Sequence, residues 1–170
     1  MTSDTLTLLL LEKLDEQVER TLHLTGLVPP DKLEWRPFPE GSRVCDLLGH
    51  LLECLAGFCA TLYAIHPERL SHFARMREKP VNHRCGIEEA LGRMREYEDC
   101  IREGFQTLTD EDLSQQLPTV FVSEGEPVLT LLLGNLEHFT NHKYQLFFYL
   151  KLLGIQLGTS DLYRLRTLRV

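Results

Sequence analysis

The stretch from Val128 to Leu153 runs between Pro127 and Gly154 without an internal proline, and it reads as one long helix. Proline at the first turn and glycine after the last are the ordinary punctuation of such an element. Counting by alternating three and four, one stripe is Leu131, Asn135, His138, His142, Gln145, Tyr149 and Leu152. The adjacent stripe is Leu129, Leu132, Leu136, Phe139, Leu146, Leu150 and Leu153, with Lys143 its one polar member. An apolar face this wide has to be covered by other helices. The histidines therefore stand at or beside the packed side, where an imidazole needs a partner or a metal. Polar residues take the middle of the seam and apolar ones close its ends, the layout of a site inside a helical bundle.

His138 and His142 are four apart, so both rings leave the helix in the same direction and can grip one ion. Seven histidines in 170 residues give roughly 0.3 such pairs by chance, so the pair counts only in its context. The spacing is that of a metalloprotease His-Glu-x-x-His, but Phe139 stands where the glutamate base belongs. Peptidase chemistry of that type is thereby disfavoured. Ligands one turn apart also suit a small ion better than haem.

Three further segments have helical periodicity, giving core helices over about 5–24, 43–65, 87–108 and 128–153. The first aligns Leu6, Leu10, Leu14, Val18 and Leu22, and Gly26 with Pro29 and Pro30 ends it. The second has Ser42 as its expected N-cap and stops at Pro67, with His66 near its C-terminal dipole. The third turns Ile87, Leu91, Met94, Ile101 and Phe105 inward. Thr109 and Asp112 have the spacing of a capping box for a short helix through Gln116, and residues 119–127 read as a brief extended segment. The pattern predicts an all-α chain, a four-helix bundle in one domain over 1–170, with a long connection of about twenty residues between helices 2 and 3.

A net charge of −7, with no basic cluster, argues against nucleic acid or an anionic membrane as a partner. No apolar run reads as approaching the roughly 20 residues of a membrane span, and no signal segment is evident. Five cysteines (45, 54, 59, 85, 100) without a Cys-x-x-Cys pair suit reduced thiols and a cytoplasmic location. Cys54 and Cys59 read as small core residues, and no base is evident for Cys85 or Cys100. His23, His72 and His83 read as solvated, and Trp35 as packing the helix 1–2 connection against the bundle.

His50 is the third candidate ligand, in line with Leu47, Cys54, Phe58 and Thr61 on the second helix. Three neutral imidazoles leave coordination positions open, as a catalytic metal site does. Glu53, three residues after His50, is expected to act as a fourth ligand, an orienting partner or a general base, or else to be a rim residue or salt-bridge partner. Asp46 has the same ambiguity, and Glu137 should point outward. Asn135, Gln145 and Tyr149 are candidate pocket residues.

Three stretches together resemble the DinB-like superfamily, which includes YfiT-type metal-dependent hydrolases. They are Leu33-Glu34-Trp35-Arg36-Pro37 with Gly41-Ser42; Asp46-Leu47-Leu48-Gly49-His50-Leu51-Leu52-Glu53; and His138-x3-His142-x2-Gln145 leading to Leu150, Leu153 and Gly154. The resemblance runs from about residue 5 to 155. It implies a four-helix bundle, often a homodimer, with a divalent metal on His50, His138 and His142. It also implies, for some members, transferase or isomerase chemistry with a low-molecular-weight thiol. Two departures stand out: Ser42-Arg43-Val44-Cys45 replaces the usual Trp-Ser, and Lys143-Tyr144 replaces Arg-Gly after His142.

The leading expectation is a metal-dependent transferase or hydrolase acting on a small molecule, with zinc or nickel, or alternatively iron, as the ion. The competing one is a non-enzymatic bundle that dimerises or binds a partner and keeps a structural or vestigial metal site. An open coordination position facing a pocket favours the enzyme, and a closed site favours the competitor.

Overall fold

The computed structural model describes residues 5–119 and 122–164. Four long helices dominate: α1 (Thr5–Gly26), α2 (Val44–Ile65), α3 (Ile87–Thr107) and α4 (Val128–Leu152), followed by the one-turn α5 (Thr159–Leu162). Short 3₁₀ segments lie at Pro30–Lys32, Ser71–Glu78 and Asp112–Ser114. A two-residue antiparallel ladder pairs β1 (Gln116–Leu117) with β2 (Glu126–Pro127). The result is an all-α bundle in which α1 and α2 each pack against both α3 and α4. The chain thus crosses the bundle diagonally from α1 to α2 and again from α3 to α4, and this makes α2 and α4 neighbours.

Helix α2 is the most deeply packed: Leu47, Leu48, Leu51, Leu52, Leu55, Phe58 and Leu62 are each at most 2% exposed. Burying a side chain of this size is worth roughly 1.5–3 kcal/mol, so this helix anchors the core. Contrary to the sequence expectation, Val44–Ile65 is long and apolar enough, by length and a mean hydropathy of 1.5, to cross a membrane. Here its apolar side chains face α3 and α4, as in a core helix.

The α1 stripe differs from the expected line. Thr7, Leu10, Leu14, Gln17, Val18, Thr21, Leu24 and Thr25 are buried, whereas Leu6 is 42% exposed and Leu22 only partly buried. A strict four-residue spacing drifts about 40° per step around a helix of 3.6 residues per turn, so both ends of that line rotate off the core. In α3 the buried set is Ala90, Arg93, Met94, Tyr97, Ile101, Gly104 and Phe105, with Ile87 and Leu91 at its edge. Lys143, the polar interruption of the α4 stripe, is 2% exposed; its Nζ donates to Gln17 Oε1 (2.6 Å) and the Leu162 carbonyl (2.9 Å). It thereby ties α4 to α1 and α5, and burial draws its pKa down to about 8.

Ser42 is not the N-cap of α2. Arg43 holds that position without a side-chain cap bond, and the Val44 and Cys45 amides instead donate to the carbonyls of Trp35 (3.0 Å) and Leu33 (2.9 Å). The Leu33–Trp35 backbone therefore does the capping that a Ser side chain would have done. After Leu108, Thr109 and Asp112 form the expected reciprocal bonds, Thr109 N to Asp112 Oδ2 (2.8 Å) and Asp112 N to Thr109 Oγ1 (3.3 Å). The turn nevertheless ends at Ser114, short of the expected Gln116, because Gln116 pairs with Pro127. Of the extended segment expected over 119–127, Glu126 and Pro127 form β2, while Val120 and Phe121 lie outside the described residues.

The long α2–α3 connection turns back as a strap laid on α2. Asn82 N donates to the Gly49 carbonyl and Cys85 N to that of Cys45, both at 3.0 Å. A Cβ on Gly49 would lie 1.9 Å from the His83 carbonyl oxygen, so only glycine allows this approach. Asn82 has φ 56°, the left-handed conformation that asparagine tolerates best among side-chain-bearing residues.

Candidate metal centre

The adjacency of α2 and α4 brings His50 opposite His138 and His142. His50 Nε2 lies 3.2 Å from His138 Nε2 and 3.0 Å from His142 Nε2. The outer nitrogens decide what faces the centre. His50 Nδ1 lies 2.8 Å from Glu53 Oε2, and His142 Nδ1 lies 2.8 Å from Gln145 Oε1. Both partners are acceptor oxygens, so each Nδ1 carries the proton and each Nε2 turns a lone pair inward. Burial, reinforced by the neighbouring imidazoles, holds His142 below the ordinary histidine pKa, which favours the free base.

Two lone pairs 3.0 Å apart repel unless a cation lies between them. A proton can bridge one pair of nitrogens but not all three. Nitrogens held at about 2.05 Å by one ion are about 2.9 Å apart at a right angle and about 3.3 Å apart at the tetrahedral angle. Both separations from His50 fall between those limits, and all three nitrogens lie within 4.8 Å of one another, an arrangement that could hold one divalent ion.

The oxygens that fix the tautomers are held in turn. Gln145 Nε2 donates to Tyr149 Oη (2.9 Å), and the Tyr149 ring meets Trp35 edge to face at 5.5 Å. A line of contacts thus runs from His142 through Gln145 and Tyr149 to the segment that caps α2. Glu53, with its side chain 43% exposed, meets His50 Nδ1, which suits an orienting partner as well as a rim salt-bridge partner; the expected roles of fourth ligand and free base conflict with that bond. Asn135 lies one turn before His138, donates to Thr61 Oγ1 (3.3 Å) and packs against Gly57, so it joins α2 to α4.

The site opens on a groove of about 260 Å³ lined by Ser42, Asp46, Leu47, His50, Asn82, His142 and Gln145. Of the candidate pocket residues, Gln145 lines it; Tyr149 is 5% exposed behind Gln145, and Asn135 is not in its wall. Asp46 is gripped by Arg43 through Nε–Oδ2 (2.7 Å) and Nη2–Oδ1 (2.9 Å), and this pairing holds its carboxyl below the ordinary range. Glu137 is exposed, as is His138. The centre therefore sits at the rim of the α2–α4 seam, not deep inside the bundle as the stripe suggested. Helix α4 buries its Phe139, Leu146 and Leu150 line and leaves the histidine line half open.

His23, His72 and His83, expected to be solvated, each meet a carboxylate: His23–Asp161 (2.7 Å), His72–Glu103 (3.0 Å) and His83–Glu89 (2.9 Å), and His66 meets Asp112 (3.3 Å). Those partners lie on other elements, so no local pattern announced them. All five cysteines are free thiols, with Cys54 and Cys59 in the core.

No protein-family model matches the sequence, and no curated protein does. Among solved structures, the crystal structure of a DinB-like protein, YjoA, from Bacillus subtilis is similar with a TM-score of 0.66 and 16% sequence identity. The alignment covers 87% of this chain and 94% of that one. The chain has the DinB-like fold.

Proposed function

We propose that this protein is a metal-dependent enzyme whose His50, His138 and His142 hold one divalent ion, and whose groove admits a small polar molecule. The convergence of three Nε2 atoms, two of them turned inward by Glu53 and Gln145, carries the reading. A bound ion would supply a Lewis acid that activates a nucleophile or polarises a carbonyl. Zinc and nickel suit three imidazoles best, and iron is the alternative.

The chain's own groups would bind and orient. Ser42, Asn82 and Gln145 offer neutral donors and acceptors along the groove, and Leu47 supplies an apolar patch. Asp46 is committed to Arg43 and Glu53 to His50, so neither is placed as a free base. That arrangement favours a nucleophile that needs little help from a protein base, as in transfer of a low-molecular-weight thiol or hydrolysis of an electrophile. The groove is just under the roughly 300–1,000 Å³ common for ligand pockets, so the substrate is small. An open face beside the ligands supports the enzyme over a purely structural metal site.

The test is metal content of untagged protein beside the His138→Ala, His142→Ala double variant. About one equivalent at the three-histidine site in the parent, lost in the variant, is expected. A parent that stays empty at this site after reconstitution with zinc, nickel or iron would overturn the proposal and leave an interaction domain. The proposed homodimer has one feature in its favour: Tyr144, Phe148 and Leu152 are each about half exposed along the outer side of α4. Light scattering of the untagged chain tests it.

A further inference from the structure

The strap between α2 and α3 carries donor groups that the three-histidine site does not use. His83 and Cys85 lie on the strap and Glu89 in the first turn of α3, and each offers a ligand atom within 4.8 Å of the others. Cys85 is 1% exposed. His83 Nε2 faces Glu89 Oε1 at 2.9 Å, so a divalent ion that took this nitrogen would replace the proton the two now share.

We propose that His83, Cys85 and Glu89 form a second divalent-metal site, separate from the three-histidine centre, whose nitrogen, sulfur and oxygen donors suit zinc. Three ligands leave one position of a tetrahedral ion for solvent. Binding breaks the Cys85 S–H bond, sends that proton to solvent and forms a sulfur–metal bond with no change of oxidation state. The thiolate and the Glu89 carboxylate then offset the two positive charges. Burial, with the Glu89 carboxylate next, pushes the Cys85 thiol up to about 12, so the metal-free protein keeps its proton.

Arg93 is the opposing cation. Its Nη1 stands 3.5 Å from Glu89 Oε1, while the same guanidinium donates to the Pro80 carbonyl and, at 3.1 Å, to Tyr97 Oη. It holds Glu89 in place but works against a second positive charge, so this site should fill after the three-histidine centre. Filling it would matter to that centre, because the His83 backbone rests on Gly49 beside His50, and Asn82 forms part of the groove wall. An ion joining Cys85 to Glu89 would pin that wall to α3.

Cobalt(II) titration of the metal-free full chain, in a phosphine reductant so that no added thiol is present, separates the two sites. The expected result is a second equivalent that brings a near-ultraviolet thiolate-to-cobalt charge-transfer band, which a set of three imidazoles does not give. The band should persist in the His138→Ala, His142→Ala variant and vanish in Cys85→Ser. Glu89→Gln, at a half-exposed position that tolerates the change, should weaken the second equivalent at least tenfold. Absence of the band at saturating cobalt, or its survival in Cys85→Ser, would overturn the proposal. Because the double variant removes only the first site, failure of either site is read apart from failure of the other.

Discussion

The side-chain oxygen of Gln145 decides which nitrogen of His142 carries the proton, and so which one would face the proposed ion. Groups that orient a metal-bound histidine this way commonly contribute 10- to 100-fold to metal affinity. Gln145→Leu should therefore weaken zinc binding by about that factor in competition with a chromophoric chelator, with a small effect on folding because the residue lies at the groove. Unchanged affinity would mean that the Gln145 contact is incidental. The two histidines of α4 were legible because a helix fixes the direction of residues four apart, and Gln145 fell on the same stripe. Its role was not legible, since it depends on a 2.8 Å approach that periodicity does not specify. His83, Cys85 and Glu89 are harder still: in the sequence they are a histidine with no nearby partner, a thiol without a base and one carboxylate among many. What unites them is the path of an irregular strap.

At the scale of elements, that path depends on one helix surface. Gly49 lies in the middle of α2, where glycine ordinarily costs about 1 kcal/mol relative to alanine. It is retained against that cost because the strap's main chain occupies the space of a Cβ, 1.9 Å from the His83 carbonyl oxygen. Backbone cannot rotate aside as a side-chain tip can. Gly49→Ala should destabilise the protein by roughly 3 kcal/mol in urea unfolding, at the upper end of overpacking penalties. It should also speed hydrogen exchange at the Asn82 and Cys85 amides. Gly104→Ala is the control: its Cβ would meet Leu62 Cδ1 at 2.7 Å, a flexible tip, so about 1 kcal/mol is expected. Equal losses in the two variants would show that the strap yields freely. The helices themselves were legible from apolar spacing and Gly/Pro punctuation. The Ser42 cap was misassigned because Leu33 and Trp35 supply carbonyls from a distant turn, which composition alone does not reveal.

For the molecule as a whole, the all-α bundle followed from four periodic segments, but periodicity does not say which helices touch. The diagonal crossings from α1 to α2 and from α3 to α4 do, and they place His50 against His138 and His142, 88 and 92 residues further along the chain. An ion held there joins α2 to α4 only when the bundle is assembled, so it binds the folded state in preference to the unfolded one. Binding then adds RT ln(1 + [L]/Kd) to stability, about 2.7 kcal/mol at a hundredfold excess of free metal over Kd. For a chain of this length, 1 kcal/mol corresponds to about 2–4 °C in Tm, so zinc should raise Tm by about 5–10 °C. A chelator should reverse the shift, and His50→Ala should abolish most of it while leaving the metal-free Tm nearly unchanged, because the ring is partly exposed. A parent whose Tm ignores zinc at that excess would show that the three nitrogens converge without holding an ion. A shift of full size in His50→Ala would place the stabilising ion elsewhere, with the cluster at Cys85 the first place to look.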